Sequence, residues 1–177
     1  MNTRLASMRI PAVCVGILAA LMVSATAFGQ VVDAWTAVAS TGASDESNGA
    51  NWAFGPTTFG YRAGSMSVVA IAERFNVTNT GHGMEQPNWN TLELGNFDNY
   101  AAAGTYVQAT LYKVDPCTGV QNALCSVTSS NAAAAKCNTC QFAAGSIDFT
   151  QYLYYVLVVV SRANANDQPT ARTIRIY

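Results

Sequence analysis

Charge is what this sequence has least of. Of its 177 residues only 11% are Asp, Glu, Lys or Arg, against about 25% in an ordinary globular domain. Disordered chains, coiled coils and nucleic-acid binders all depend on dense charge, so those classes are excluded. Nine basic and ten acidic residues leave a formal net charge of −1, and no basic patch is available to neutralise phosphates. Histidine is scarcer still. With His82 alone, an HExxH metalloprotease site, which needs two histidines, is impossible. A Ser-His-Asp triad would have to use His82 as its base, but no G-x-S-x-G elbow accompanies it. Glycines on both sides of it would hold a catalytic base poorly. Convincing helical spacing of apolar residues is also missing, as are internal repeats and any interdomain linker.

One apolar run is prominent, and it reads as an address. Arg4 and Arg9 precede Ile10 to Val23, which only Pro11 and Gly16 interrupt, and Ala25-Thr26-Ala27 follows as a small-x-small cleavage site. A membrane anchor needs about 20 apolar residues, and this run is too short. Residues 1–27 are therefore expected to be a signal peptide, with Cys14 discarded in it. Residues 28–177 remain as a single domain with no transmembrane span after cleavage. A secreted location follows: extracellular, cell-surface or periplasmic.

What the remaining chain does contain is strand-forming sequence punctuated by turns. Val31 to Ala39, Thr57 to Arg62, Met66 to Asn79 and Thr91 to Asp98 are the first candidates. Phe75 and Val77 share one side of the third, with Arg74, Asn76 and Thr78 on the other. A hairpin follows. Val107, Ala109 and Leu111 face inward, Tyr106, Gln108, Thr110 and Tyr112 face outward, and Asp115-Pro116-Cys117-Thr118-Gly119 turns the chain into Val120 to Ser129. Ala132 to Ala135 has the composition of one helical turn, too short to be stable alone. Tyr152 to Val160 is apolar on both faces, which places it mid-sheet. Thr170 to Tyr177 closes the chain. These features predict an all-β fold of about eight strands: an antiparallel two-sheet sandwich, a jelly roll or similar Greek key. An outer-membrane barrel is disfavoured, because counting back from Tyr177 puts Arg175 and Thr173 where lipid-facing residues belong.

The mature chain keeps four cysteines, Cys117, Cys125, Cys137 and Cys140, which in an exported protein read first as two disulfides. Short loops close at least entropic cost, so Cys117–Cys125 and Cys137–Cys140 are the favoured pairs. Geometry objects to the first. On a straight strand Cys125 lies about 20 Å beyond the turn, whereas a disulfide needs Cα atoms within about 7 Å. The alternative joins Cys125 to the Cys137/Cys140 segment. A zinc site would use the CxxC with Cys117, Cys125 or His82, but the spacing is not that of a second knuckle. A redox CxxC needs a helix N-terminus that the pattern does not supply. No metal and no cofactor is expected.

Other candidates are weaker. His82 and Met84 are a soft-metal pair without further ligands. Asp45 and Glu46 match no EF-hand loop. Asn76-Val77-Thr78 fits the glycosylation pattern. Trp89, Trp52, Tyr106 and Tyr112 form a possible aromatic platform for stacking on sugar rings, with tryptophans plugging the ends of the core as the plain alternative.

The stretch from Arg74 to Tyr177 resembles uncharacterised exported bacterial proteins. The resemblance is carried by RFNVTNT (74–80), WNTLELGNFDN (89–99), ATLYKVDPCTG (109–119), CNTCQFAAGSIDF (137–149), YLYYVLVVVSR (152–162) and TIRIY (173–177). It implies a secreted, cysteine-containing β-sandwich and brings no activity, ligand or catalytic residue with it. Together these readings favour a non-catalytic surface protein acting by adhesion or self-assembly, with itself as partner through the 152–160 face. The alternative is a carbohydrate-binding module that meets an extracellular glycan with Trp89 and its aromatic neighbours. A hydrolase of unfamiliar type is the third reading, and nothing marks two of the ten acids as its pair.

Overall fold

The structure is a computed structural model and describes residues 34–44, 47, 49–79 and 86–177. The leader at 1–27, and with it the signal-peptide reading, lies outside the described residues, as do Asp45, Glu46, His82 and Met84. Every regular element described is a strand. They are β1 (Trp35–Val38), β2 (Ala43–Ser44), β3 (Trp52–Phe54), β4 (Phe59–Tyr61), β5 (Ile71–Val77) and β6 (Thr91–Asp98). Then follow β7 (Tyr106–Val114), β8 (Gln121–Thr128), β9 (Ala132–Gln141), β10 (Leu153–Ser161) and β11 (Thr170–Ile176). No helix among the described residues is long and apolar enough to cross a membrane.

The strands make two antiparallel sheets. The first runs β3-β4-β11-β6-β9, with β1 also on β11, and the second runs β2-β5-β10-β7-β8. From β5 onward the chain changes sheet at every step except the β7–β8 hairpin, the crossing pattern of a jelly-roll sandwich. Alternation explains the layering. Ile71, Phe75 and Val77 of β5, Val107, Ala109 and Leu111 of β7, and Tyr154, Val156, Val158 and Val160 of β10 are buried. They meet Leu92 and Leu94 of β6 and Ile174 and Ile176 of β11 from the facing sheet. The tight turn before β8 depends on Gly119 at φ 71°, a conformation that glycine adopts without steric penalty.

Three strands exceed the sequence expectation: β2, β3 and β9. The alanines from Ala132 are extended in β9 rather than helical: Ala132 pairs with Asp98 and Lys136 with Asn96 of β6, and the three alanines between them span an irregularity of that ladder. The cysteine expectation is corrected as well. The disulfide joins Cys125 to Cys140 with Cα atoms 6.1 Å apart, while Cys117 and Cys137 are exposed free thiols. Cys137 and Cys140 lie three residues apart on one strand, so their side chains point to opposite faces across about 10 Å. Cys117 sits in the hairpin turn, and Cys125 lies opposite Leu111 well down the ladder. Neither local pair can close.

The bond that does form ties β8, an edge of one sheet, to β9, an edge of the other. With a sequence separation of 15, it constrains the unfolded chain by about 3 kcal/mol. Replacing both Cys125 and Cys140 by alanine is expected to lower stability by about that amount in urea unfolding. The Cys117→Ala variant is expected to be neutral.

Candidate functional site

The outer face of the five-stranded sheet collects the side chains that alternation turns away from the core. Register aligns them in rows across four strands. Asn76, Tyr155, Tyr112 and Ala123 form one row, and Arg74, Leu157, Thr110 and Ser126 the next. Ala72, Val159, Gln108 and Thr128 form the third. Directly opposed side chains on neighbouring strands start about 5 Å apart. Tyr112 and Tyr155 accordingly stack, with ring centroids 5.0 Å apart and planes inclined by 15°. The Arg74 guanidinium lies 5.8 Å from the Tyr155 ring centroid, within cation–π range.

Hydrogen bonds fix the rest of the face. The Tyr155 hydroxyl donates to Gln121 Oε1 at 2.6 Å. Gln108 Nε2 donates to Thr128 Oγ1 at 3.0 Å, and the Thr110 and Ser126 hydroxyls share a bond of 2.8 Å. Burial pushes the Tyr155 hydroxyl above the usual tyrosine range and Tyr112 adds to the rise, with Arg74 opposing both. The phenol thus stays protonated and can donate at neutral pH.

Beside the aromatic pair lies an open depression of about 400 Å³ lined by Ala43, Ser44, Ala72, Arg74 and Leu157. A second, of about 270 Å³, continues around the β5 edge toward Trp35 and Ala37. Ala43 and Arg74 line both. Among the described residues, the short β2 pairs only with Arg74 and Glu73 of β5.

The four aromatics expected as a platform do not come together. Trp89 is 3% exposed and packs edge-on against Phe149 with centroids 6.1 Å apart, so it offers no face to a ligand. That expectation is corrected: an apolar side chain at the mouth of a sandwich gains more by closing the core than by standing in water. Trp52 is half-buried in the other sheet against Phe54 and Phe59. Tyr106 shares the face with Tyr112 but lies six residues along β7, opposite Ser161, about 20 Å away. Only Tyr112 belongs to the cluster. Its partners Tyr155, Arg74 and Gln121 were not among the expected site residues. Their outward parity was readable, but the register that joins them was not.

The two-faced strand is as central as its composition demands, with β5 on one side and β7 on the other. Its second face is an apolar strip one strand wide, Leu153, Leu157 and Val159, of which Leu153 is 61% exposed. Arg74 borders Leu157 on one side and Thr110 on the other, while Ala72 and Val114 continue the strip beside Val159 and Leu153. Among the described residues no group of three or more His, Cys, Asp and Glu is placed to hold a metal ion.

No family model and no curated protein matches the chain. Among solved structures it is similar to a xylan-binding module CBM15, at 11% identity and a TM-score of 0.41 over 81% of this chain and 95% of that one.

Proposed function

We propose that this protein is an exported, non-catalytic β-sandwich that holds a polysaccharide against the outer face of its five-stranded sheet. One observation carries the reading: the stacked Tyr112–Tyr155 pair stands on an open face where amides and hydroxyls alternate with small and apolar side chains. A sugar ring has an apolar C–H face and a rim of hydroxyls. Tyrosine rings supply the complement to the first, and Asn76, Gln108 and Gln121 supply donors and acceptors for the second. The Cys125–Cys140 bond suits an oxidising compartment, in keeping with the leader-like residues 1–27.

Screening the protein on a glycan array and measuring the best ligand by calorimetry tests this directly. Tyr155→Ala is expected to weaken binding about tenfold, or about 1.4 kcal/mol, with the folded fraction unchanged. Binding that ignores both Tyr155→Ala and Tyr112→Ala, or no binding to any glycan, would refute it.

The exposed Leu153 favours a second reading, self-association through the same face. In sedimentation the glycan reading expects a monomer at all concentrations. A dimer that Leu153→Ser dissolves would support self-association instead.

A further inference from the structure

We infer that the ligand is an anionic polysaccharide, in which a uronate ring stacks at Tyr155 and gives its carboxylate to Arg74. This rests on the glycan reading above and specifies the substrate class for the same face.

The argument begins with charge. Among the described residues whose side chains alternate outward on β5, β10, β7 and β8, Arg74 is the single cation and there is no carboxylate. Arg74 is exposed, and its contact is with the Tyr155 ring; no described carboxylate pairs with it. In a chain so poor in charge, an exposed arginine that meets no described carboxylate, beside the aromatic pair of this face, is placed to take an anion from outside. Its position narrows the choice of partner. Arg74 lines both depressions, so anything lying in either passes its guanidinium. Resting beside the Tyr155 ring also orders the side chain before a ligand arrives, which lowers the entropy lost on binding.

The chemistry of the guanidinium selects the anion. Its planar fork of N–H donors matches a carboxylate with two parallel hydrogen bonds. A uronic acid carries its carboxylate at the ring edge, one bond outside the ring. A ring stacked on Tyr155 can therefore turn that group toward Arg74 while its hydroxyls meet the amides. A neutral sugar would leave the charge unanswered, and a linear polyanion without rings would leave the tyrosines unused. Two groups side by side require both features in one ligand.

The test uses three probes on the intact protein: an oligogalacturonide, the same oligosaccharide fully methyl-esterified, and a polyacrylate oligomer of equal charge. Calorimetry is run with the unaltered chain and with Arg74→Gln. Esterification is expected to weaken binding at least tenfold, and Arg74→Gln to weaken the acid by the same factor and the ester by much less. Raising the salt is expected to weaken the acid alone. Acid and ester binding equally, or Arg74→Gln weakening both alike, would overturn the anionic class and leave the glycan reading standing. Polyacrylate matching the oligogalacturonide would reduce the effect to unspecific ion attraction and overturn the inference. Failure of both sugars to bind would overturn the inference, while the glycan array decides the glycan reading separately.

Discussion

Glu73→Gln is expected to stabilise the protein above pH 8 by about 2 kcal/mol and to flatten its dependence of stability on pH. Glu73 follows the alternation of β5 into the sandwich, between Ile71 and Phe75, and is fully buried. It lies opposite Val158 of β10, and the 41–42 turn covers it. A Cβ placed on Gly42 would come within 2.5 Å of its Cγ and Oε1. The Gly42 backbone is close enough to moderate the shift, but neither carboxyl oxygen makes a hydrogen bond of ordinary geometry among the described residues.

Burial raises this group from 4.5 to about 8. A folded value above the unfolded one means that the native state keeps its proton where the unfolded chain has released it. The full benefit is present below pH 4.5, falls steadily as pH rises, and is lost by about pH 8. The unscreened shift would correspond to nearly 5 kcal/mol. Relaxation of the protein around the buried charge brings the expected effect down to roughly half of that. The glutamine keeps the shape without the charge. Calorimetric melting from pH 4 to 9 is the check, and parallel curves for the two proteins would mean that Glu73 is not the responsible group.

Arg162→Ala is expected to be the most damaging single substitution, lowering stability by about 3 kcal/mol or more. Arg162 is 2% exposed, and its guanidinium is spent on backbone carbonyls. Nε donates to Ser67 O at 2.8 Å, Nη2 to Ser65 O at 2.6 Å, and Nη1 to Ala165 O and Asp167 O at 2.7 and 3.3 Å. The guanidinium carbon also lies 3.9 Å from the Tyr61 ring centroid. One side chain thereby fixes two loops, residues 62–70 and 162–169, at the same end of the sandwich. Lysine has the charge without the fork, so Arg162→Lys is expected to recover less than half of the loss. Urea unfolding measures both. A loss under about 1 kcal/mol for the alanine variant would show that water replaces the arginine without difficulty.

Much of the architecture was legible before the structure because period-two alternation is a local signal. Phe75 and Val77 reveal the inner face of β5, and the same count puts Glu73 with them, a buried acid that hydrophobicity alone conceals. The Asp115-to-Gly119 turn announced its hairpin: Asp115 Oδ1 accepts from the Cys117 and Thr118 amides at 2.8 and 2.9 Å. Long-range pairing was not legible. Nothing in the spacing of Cys125 and Cys140 says that two edge strands of different sheets lie side by side. The alanines of β9 look helical until β6 is known to be their neighbour. Trp89 sits among polar residues in sequence and inside the core in space. The candidate site was hidden for the same reason, since Tyr112 and Tyr155 are 43 positions apart and meet only through the β7–β10 register.

The central claim is that the outer face of the β2-β5-β10-β7-β8 sheet is the working surface. Titrating isotope-labelled protein with an oligogalacturonide and following its backbone amide resonances tests that claim most directly. Shifts concentrated at Arg74, Asn76, Tyr112, Gln121 and Tyr155 are expected, with the β6 and β11 amides unmoved. Shifts confined to the opposite sheet, or none at saturating ligand, would contradict it.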